Sequence, residues 1–346
     1  MGHQRREACH YGRSAIQLLA VAEGRTGHGK ARGVIGSNTE RPPRVVAFGG
    51  GHGLFASLKA LCLLGIEPTA VVTVADDGGS SGRLRREFGG IPPGDLRQAL
   101  VALANPADPV TAAVFQHRFP GAGELGGHAI GNLILAGLSD ILGGTVPALD
   151  HASRVLGCRG RVLPMAAEPL DIEADVAGAL GNVITVHGQH EVATTKGRVR
   201  RVRVTPAEAP ACAEAVEAVK LADVLVLGPG SWFTSVLPHF LVPELADAIV
   251  TSAARRVVVL NLSTDGETEG MPFEGHLHAL AEHAPALKVD VVLADPHIVG
   301  DHTGLSRAAE SLGGRLVVAP VAASDGSPRH DQQALADALR GVLGTG

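Results

Sequence analysis

Five short apolar runs in this chain stop abruptly at glycine or a polar residue: 44–48 at Gly49, 70–74 shortly before Asp76, 223–227 at Gly228, 257–260 at Asn261 and 289–294 at Asp295. Their continuous, β-branched character is that of strands buried on both faces. Helical periodicity lies between and after them, over 55–64, 96–104, 211–220 and 332–343. Strands that alternate with helices specify an α/β domain with a mostly parallel sheet, because parallel neighbours need a crossover. Open sheets of this kind place ligands beyond the carboxyl ends of their strands. The residues that end the runs are therefore the first candidates for a site.

The densest chemistry is at 73–86, where Asp76 and Asp77 follow a strand and lead into Gly78-Gly79-Ser80-Ser81-Gly82-Arg83. Glycines that admit positive φ, hydroxyl donors and a guanidinium fit the rim of a phosphate or nucleotide site. The paired carboxylates have two readings: they accept hydrogen bonds from ligand hydroxyls, or they hold Mg²⁺ against a diphosphate. Upstream, the first strand runs straight into Gly49-Gly50-Gly51-His52-Gly53-Leu54 and a helix. A strand, glycine turn and helix start aim backbone N–H groups and the positive helix end at an anion. The match to the dinucleotide fingerprint is incomplete, with Leu54 where the third glycine would stand, and a tight βα turn accounts for the loop equally well. Gly228-Pro229-Gly230-Ser231 repeats the pattern, with Thr234 and Ser235 adding hydroxyls. No Gly-x-Ser-x-Gly surrounds Ser231, so a phosphate or sugar contact fits it better than nucleophilic catalysis. Asn132, after a glycine-rich helix start, offers both a donor and an acceptor. Asp95 reads first as the cap of the helix over 96–104.

The formal net charge of −5 speaks against a protein devoted to nucleic acid, and the basic run 198–203 carries no interleaved aromatics. No apolar stretch is long enough to span a membrane. The four cysteines form no CxxC pair and read as reduced thiols. The sixteen histidines match no standard metal-ligand spacing and are expected in loops or at the surface. Residues 1–43 lack periodicity beyond one short apolar segment and read as a disordered extension, ahead of a single nucleotide-binding domain over 44–346. Alternation over 170–176, with runs at 183–186 and 199–204, marks a small antiparallel β insertion at about 161–205 that carries little recognisable chemistry.

Phe48-Gly-Gly-Gly-His-Gly-Leu54, Val72-Thr-Val-Ala-Asp-Asp-Gly-Gly-Ser-Ser-Gly-Arg-Leu-Arg85, Pro92-Pro-Gly-Asp95, Phe115-Gln-His-Arg-Phe119, His128-Ala-Ile-Gly-Asn132 and Gly228-Pro-Gly-Ser231 together closely resemble the bacterial gluconeogenesis factor family. That family is the nucleotide-sugar-binding branch of the superfamily that includes 2-phospho-L-lactate transferase. The resemblance covers about residues 44–320 and leaves the tail unmatched. It implies a Rossmann-like fold and a cytoplasmic protein needed for cell shape and wall synthesis on gluconeogenic carbon sources, with UDP-N-acetylglucosamine-type ligands and no settled reaction. The transferase cousins move a phospholactyl group from a guanosine diphosphate donor to a deazaflavin with magnesium. Carried onto this chain, 49–54, Asp76, Asp77, Ser80, Ser81, Arg83, Asn132 and 228–231 would line the cleft. His52 stands where many members have threonine, and Trp232-Phe233 replaces a more usual Leu-Tyr. The two readings are thus a UDP-sugar-binding regulator, without assigned catalytic residues, and a transferase-like enzyme. An NAD-dependent oxidoreductase is disfavoured by the missing third glycine and the lack of a proton donor. A regulator would need a protein partner that the sequence does not name, and only base rates speak for a homodimer.

Overall fold

The computed structural model describes residues 41–178, 182–195, 197–300 and 302–343. Most of the 1–43 extension lies outside the described residues. Among the described residues, ten strands form two sheets. Strands β1 (Val45–Gly49), β2 (Thr69–Val72), β3 (Arg161–Pro164), β7 (Val224–Leu227), β8 (Arg255–Val259), β9 (Val291–Ala294) and β10 (Arg315–Val318) build a parallel seven-stranded sheet in the order β10-β9-β8-β7-β1-β2-β3. Strands β4 (Asp171–Ala177), β5 (Val183–His187) and β6 (Arg198–Thr205) form an antiparallel sheet in the order β5-β4-β6.

The apolar runs become parallel strands because both of their faces find a core. In β1, Val45 and Ala47 point to one side and Val46 and Phe48 to the other, and all are buried. One core is filled by Leu54, Leu58 and Leu61 of the helix Gly51–Leu63, Leu96 and Leu100 of Gly94–Leu103, and Leu335 and Leu339 of Gln332–Leu343. The other takes Ala215 and Val219 of Ala213–Leu221, Leu245 and Ile249 of Pro243–Thr251, and the inner row Ile172, Ala174 and Val176 of β4. Three-layer burial of this kind is what continuous rather than alternating hydrophobicity demands.

Two readings from the sequence change here. The stretch 161–164 belongs to the edge of the main sheet, with Val71 of β2 paired to Leu163, so the antiparallel insertion begins only at β4. Its short apolar pattern could not distinguish a parallel edge strand from an antiparallel one. Histidine is also not confined to the surface: His239 and His276 are fully buried. His239 lies between two carbonyl oxygens, Nε2 at 3.1 Å from Val71 O and Nδ1 at 3.1 Å from Val236 O, with its ring edge-to-face on Phe48. Among the described residues no single helix is long and apolar enough to cross a membrane, and the bent pair Trp232–Phe240 and Pro243–Thr251 that approaches this length has its first member buried in the core.

Burial pushes His239 down to about 4, against the pull of its two carbonyl partners. The unfolded chain therefore binds a proton that the native state refuses, and stability falls as pH drops from about 6.5 towards 4, at roughly 1.4 kcal/mol per pH unit for the one group. Urea unfolding across that range should show a shallower pH dependence in His239→Gln than in the parent protein.

Candidate functional site

The sheet order reverses between β1 and β7, since the chain moves outward through β2 and β3 on one side and through β8, β9 and β10 on the other. A crevice opens at the carboxyl edge of such a switch point, where neighbouring loops diverge. In this chain both loops at the switch are glycine-rich. The loop after β1 enters its helix at Gly51, four residues earlier than the hydrophobic pattern indicated, with Gly50 as the N-cap. Gly50 has no side chain to satisfy the first-turn amides, so they are directed at the crevice. Gly53 meets the second loop directly: a Cβ built on it would collide with the Pro229 carbonyl oxygen. A Cβ on Gly50 would collide with the Asp95 carboxylate. Ser57, from the same helix, donates to Gly228 O at 3.0 Å and locks the two loops together.

The resulting cavity has a volume of about 880 Å³. Of the residues read from the sequence, Gly50, Gly51, His52, Gly53, Asp76, Pro229, Gly230 and Ser231 line it. The others serve its frame. Gly49 and Gly228 continue the sheet ladder, through Gly49 O to Thr73 N and Gly228 N to Phe48 O, while Leu54 is core. Ser80, Ser81 and Asn132 form a buried network: Asn132 Nδ2 donates to Ser80 Oγ at 3.0 Å, Asn132 Oδ1 accepts from Arg97 Nε at 2.8 Å, and Ser80 Oγ meets His128 Nδ1 at 3.0 Å. Arg83 donates to Gly126 O at 2.7 Å and fastens the loop before Asn132. Asp77 is not part of the lining, and its Oδ1 accepts from the His190 amide at 3.0 Å.

Asp95 takes the place beside Asp76 that its sequence neighbour vacates. The helix begins at Gly94 with Pro93 as N-cap, so Asp95 lies inside the first turn instead of capping it, and its side chain leans back towards the helix start. Thr73 Oγ1 donates to Asp95 Oδ2 at 3.4 Å. Burial first, and the nearby Asp76 charge second, push the Asp95 carboxyl up to about 7, against the Gly51 amide, the Thr73 hydroxyl and Arg97. Asp76 and Asp95 are thus the carboxylates that could share a cation. No cluster of three or more His, Cys, Asp or Glu side chains suited to a metal occurs among the described residues.

Across the cavity, side chains from the loop after β8 occupy the amides of the second glycine loop. Asn261 clamps Gly230 reciprocally, its Oδ1 accepting from Gly230 N and its Nδ2 donating to Gly230 O, both at 2.8 Å. Glu267 Oε1 accepts from Phe233 N at 2.8 Å, and burial raises this carboxyl to about 7. With these donors spent and the Gly51 amide turned to the Asp95 carboxyl, the amides of His52 and Gly53 in the helix Gly51–Leu63 remain for an anion. The tail joins too, since Pro328, Arg329, His330 and Gln332 complete the wall. The residues missing from the sequence reading are chiefly Gln98, Gln189, His190, Asp265, Glu267, Arg329 and His330. They lie in segments that showed no glycine-rich strand end, so nothing local marked them.

Gly53→Ala should force the two loops apart, costing about 1–3 kcal/mol of stability as overpacking does. Thermal unfolding would show the loss, whereas an unchanged melting temperature would contradict the close approach.

The family model described as 2-phospho-L-lactate transferase CofD matches residues 45–313. A Mycobacterium tuberculosis protein is 52% identical over 307 residues, which are 86% of this chain and 90% of that protein. Proteins named gluconeogenesis factor are 42% identical over 258 residues in Halalkalibacterium halodurans, covering 74% of this chain and 79% of the relative, and 38% identical over 260 residues in Bacillus subtilis, covering 75% and 80%. The crystal structure of a UPF0052 family protein from Bacillus halodurans superposes with a TM-score of 0.78 at 35% identity, covering 87% of this chain and 99% of that one. The strand order, the glycine-lined switch point and these matches agree, and the chain belongs to the CofD family, among relatives named gluconeogenesis factor.

Proposed function

We propose that this protein is a cytoplasmic regulator that binds a nucleotide-activated sugar of the UDP-N-acetylglucosamine type and acts in cell shape and wall synthesis on gluconeogenic carbon sources. The observation that carries the nucleotide part is the helix start at Gly51, whose N-cap Gly50 offers no capping side chain and whose His52 and Gly53 amides lie at the sheet's switch point over a cavity of about 880 Å³. That volume falls within the range of small-molecule sites, about 300–1,000 Å³. The diphosphate sits at the amides of His52 and Gly53. Asp76, Asp95 and Gln98 on one wall supply acceptors and donors for sugar hydroxyls, while Leu262 and Pro328, with Arg329 and His330, flank the nucleoside on the other. The uridine, the sugar and the role in cell shape and wall synthesis come from the family resemblance, and the relatives' names support the gluconeogenic part alone.

A second reading is supported by the pairing of Asp76 with Asp95. Two carboxylates next to a diphosphate are a donor set that suits Mg²⁺, which takes one or two carboxylates and completes its shell with phosphate oxygens and water. Bound there, the ion would neutralise charge on a leaving nucleotide, as a phospholactyl-type transfer requires.

Calorimetric titration with UDP-N-acetylglucosamine, UDP and GDP, with and without Mg²⁺, separates the two. Micromolar, metal-independent binding of the UDP-sugar without turnover is the expected result. Binding of GDP alone, and only with Mg²⁺, would sink the regulator reading in favour of the transferase. The pH dependence follows from Asp95 and Glu267, both held at about 7 and both lining the cavity. A bound anion favours their protonated forms, so binding takes up protons and affinity should weaken as pH rises through about 7. Titrations at pH 6 and pH 8 in buffers of different ionisation enthalpy would reveal the uptake, and in Glu267→Gln it should be smaller.

A further inference from the structure

The antiparallel insertion does more than decorate the sheet. Between β5 and β6 it carries a short helix, Gln189–Ala193, whose Gln189, His190 and Ala193 form part of the cavity wall. This helix is fixed from below at three points. Asp77 Oδ1 accepts from the His190 amide at 3.0 Å. Gln189 Nε2 donates to Thr234 O at 3.2 Å, on the second glycine loop. The backbone of Gly266 packs beneath Ala193 so closely that a Cβ there would stand 2.7 Å from the Ala193 carbonyl oxygen. At the entrance to the helix, Gly188 has φ of +94°, and a Cβ on it would strike Asp77 Oδ2. Glycine at this position therefore lets the carboxylate close in.

We propose that Asp77 is a positioning residue that latches the insertion onto the nucleotide-binding core, and that the latched helix presents Gln189 and His190 to the non-nucleotide end of the ligand. The two neighbouring aspartates divide the work: Asp76 lines the cavity, and Asp77, outside the lining, holds the backbone of His190, which does. His190 is exposed and lines the cavity, and its backbone is the part that Asp77 holds. A ligand group reaching past Asp76 and Asp95 meets this wall next. The chemistry on offer there, an imidazole and a carboxamide beside two carboxylates, suits a polyhydroxylated or amide-bearing group and not a flat apolar base.

The ligand's identity rests on the function proposed above, whereas the latch does not, and the test keeps them apart. Hydrogen exchange of the ligand-free protein reads the latch alone. In Asp77→Ala the amides of residues 190–193 should exchange about tenfold faster or more, with the main sheet unchanged, because a hydrogen bond to a charged acceptor is lost. Asp77→Asn, which keeps an acceptor oxygen, should restore most of the protection. In titrations, His190→Ala and Asp77→Ala should each weaken UDP-N-acetylglucosamine about tenfold and leave UDP unchanged, while Asp77→Asn stays within about twofold of the parent. Unaltered exchange in Asp77→Ala would overturn the proposal, as would equal losses for UDP and the UDP-sugar. A parent protein that binds neither ligand would refute the nucleotide-sugar function, and the exchange result would still decide the latch.

Discussion

The backbone contact between Gly53 and Pro229 is the constraint on which the site depends. Two parallel strands that diverge into helices on opposite faces leave a gap at their carboxyl edge, and its width is set by how closely the two departing loops approach. Here the loops touch main chain to main chain, and Ser57 bonds across them. That approach aims the helix start at 51–53 into the crevice. It also places Pro229 and Gly230 where Asn261, from the next strand, can clamp them. Each step outward along the sheet adds a support for the one before it.

The electrostatics of the cavity follow from this frame. Its lining holds the carboxyls of Asp76, Asp95, Asp265 and Glu267, and Arg329 as the one arginine or lysine among the described residues. An acidic chamber is a poor host for a bare anion, yet two of these carboxyls are held near neutrality by burial. A proton taken up at Asp95, or a cation between Asp76 and Asp95, would remove the conflict. The regulator and the transferase readings thus differ in which positive charge accompanies the ligand.

The fold was legible because parallel strands buried on both faces leave an unbroken apolar signature, and five of the seven were readable as runs that stop at glycine or a polar residue. The stretch 161–164 was assigned to the wrong sheet because partner choice is not a local property. At the site, the glycine loops were legible and the side chains less so. Ser80, Ser81, Arg83 and Asn132 have the chemistry of ligand contacts, but their polar groups are consumed by one another and by backbone carbonyls. Asp95 offered the opposite lesson, since a helix that starts two residues earlier converts a cap into a cavity carboxylate. Glu267 and Arg329 lie far along the chain from the glycine loops and reach the cavity only through tertiary structure.

That the wall of the cavity draws on residues from Gly50 to Gln332 has a bearing on synthesis. A nascent chain emerging from the ribosome exposes its glycine loop early, but the segment 328–332 that closes the opposite side arrives nearly three hundred residues later. Until then no partly made chain encloses the chamber. Occupancy by a small molecule is in that sense a certificate of completion, reserved for chains whose last parallel strand has already joined the sheet.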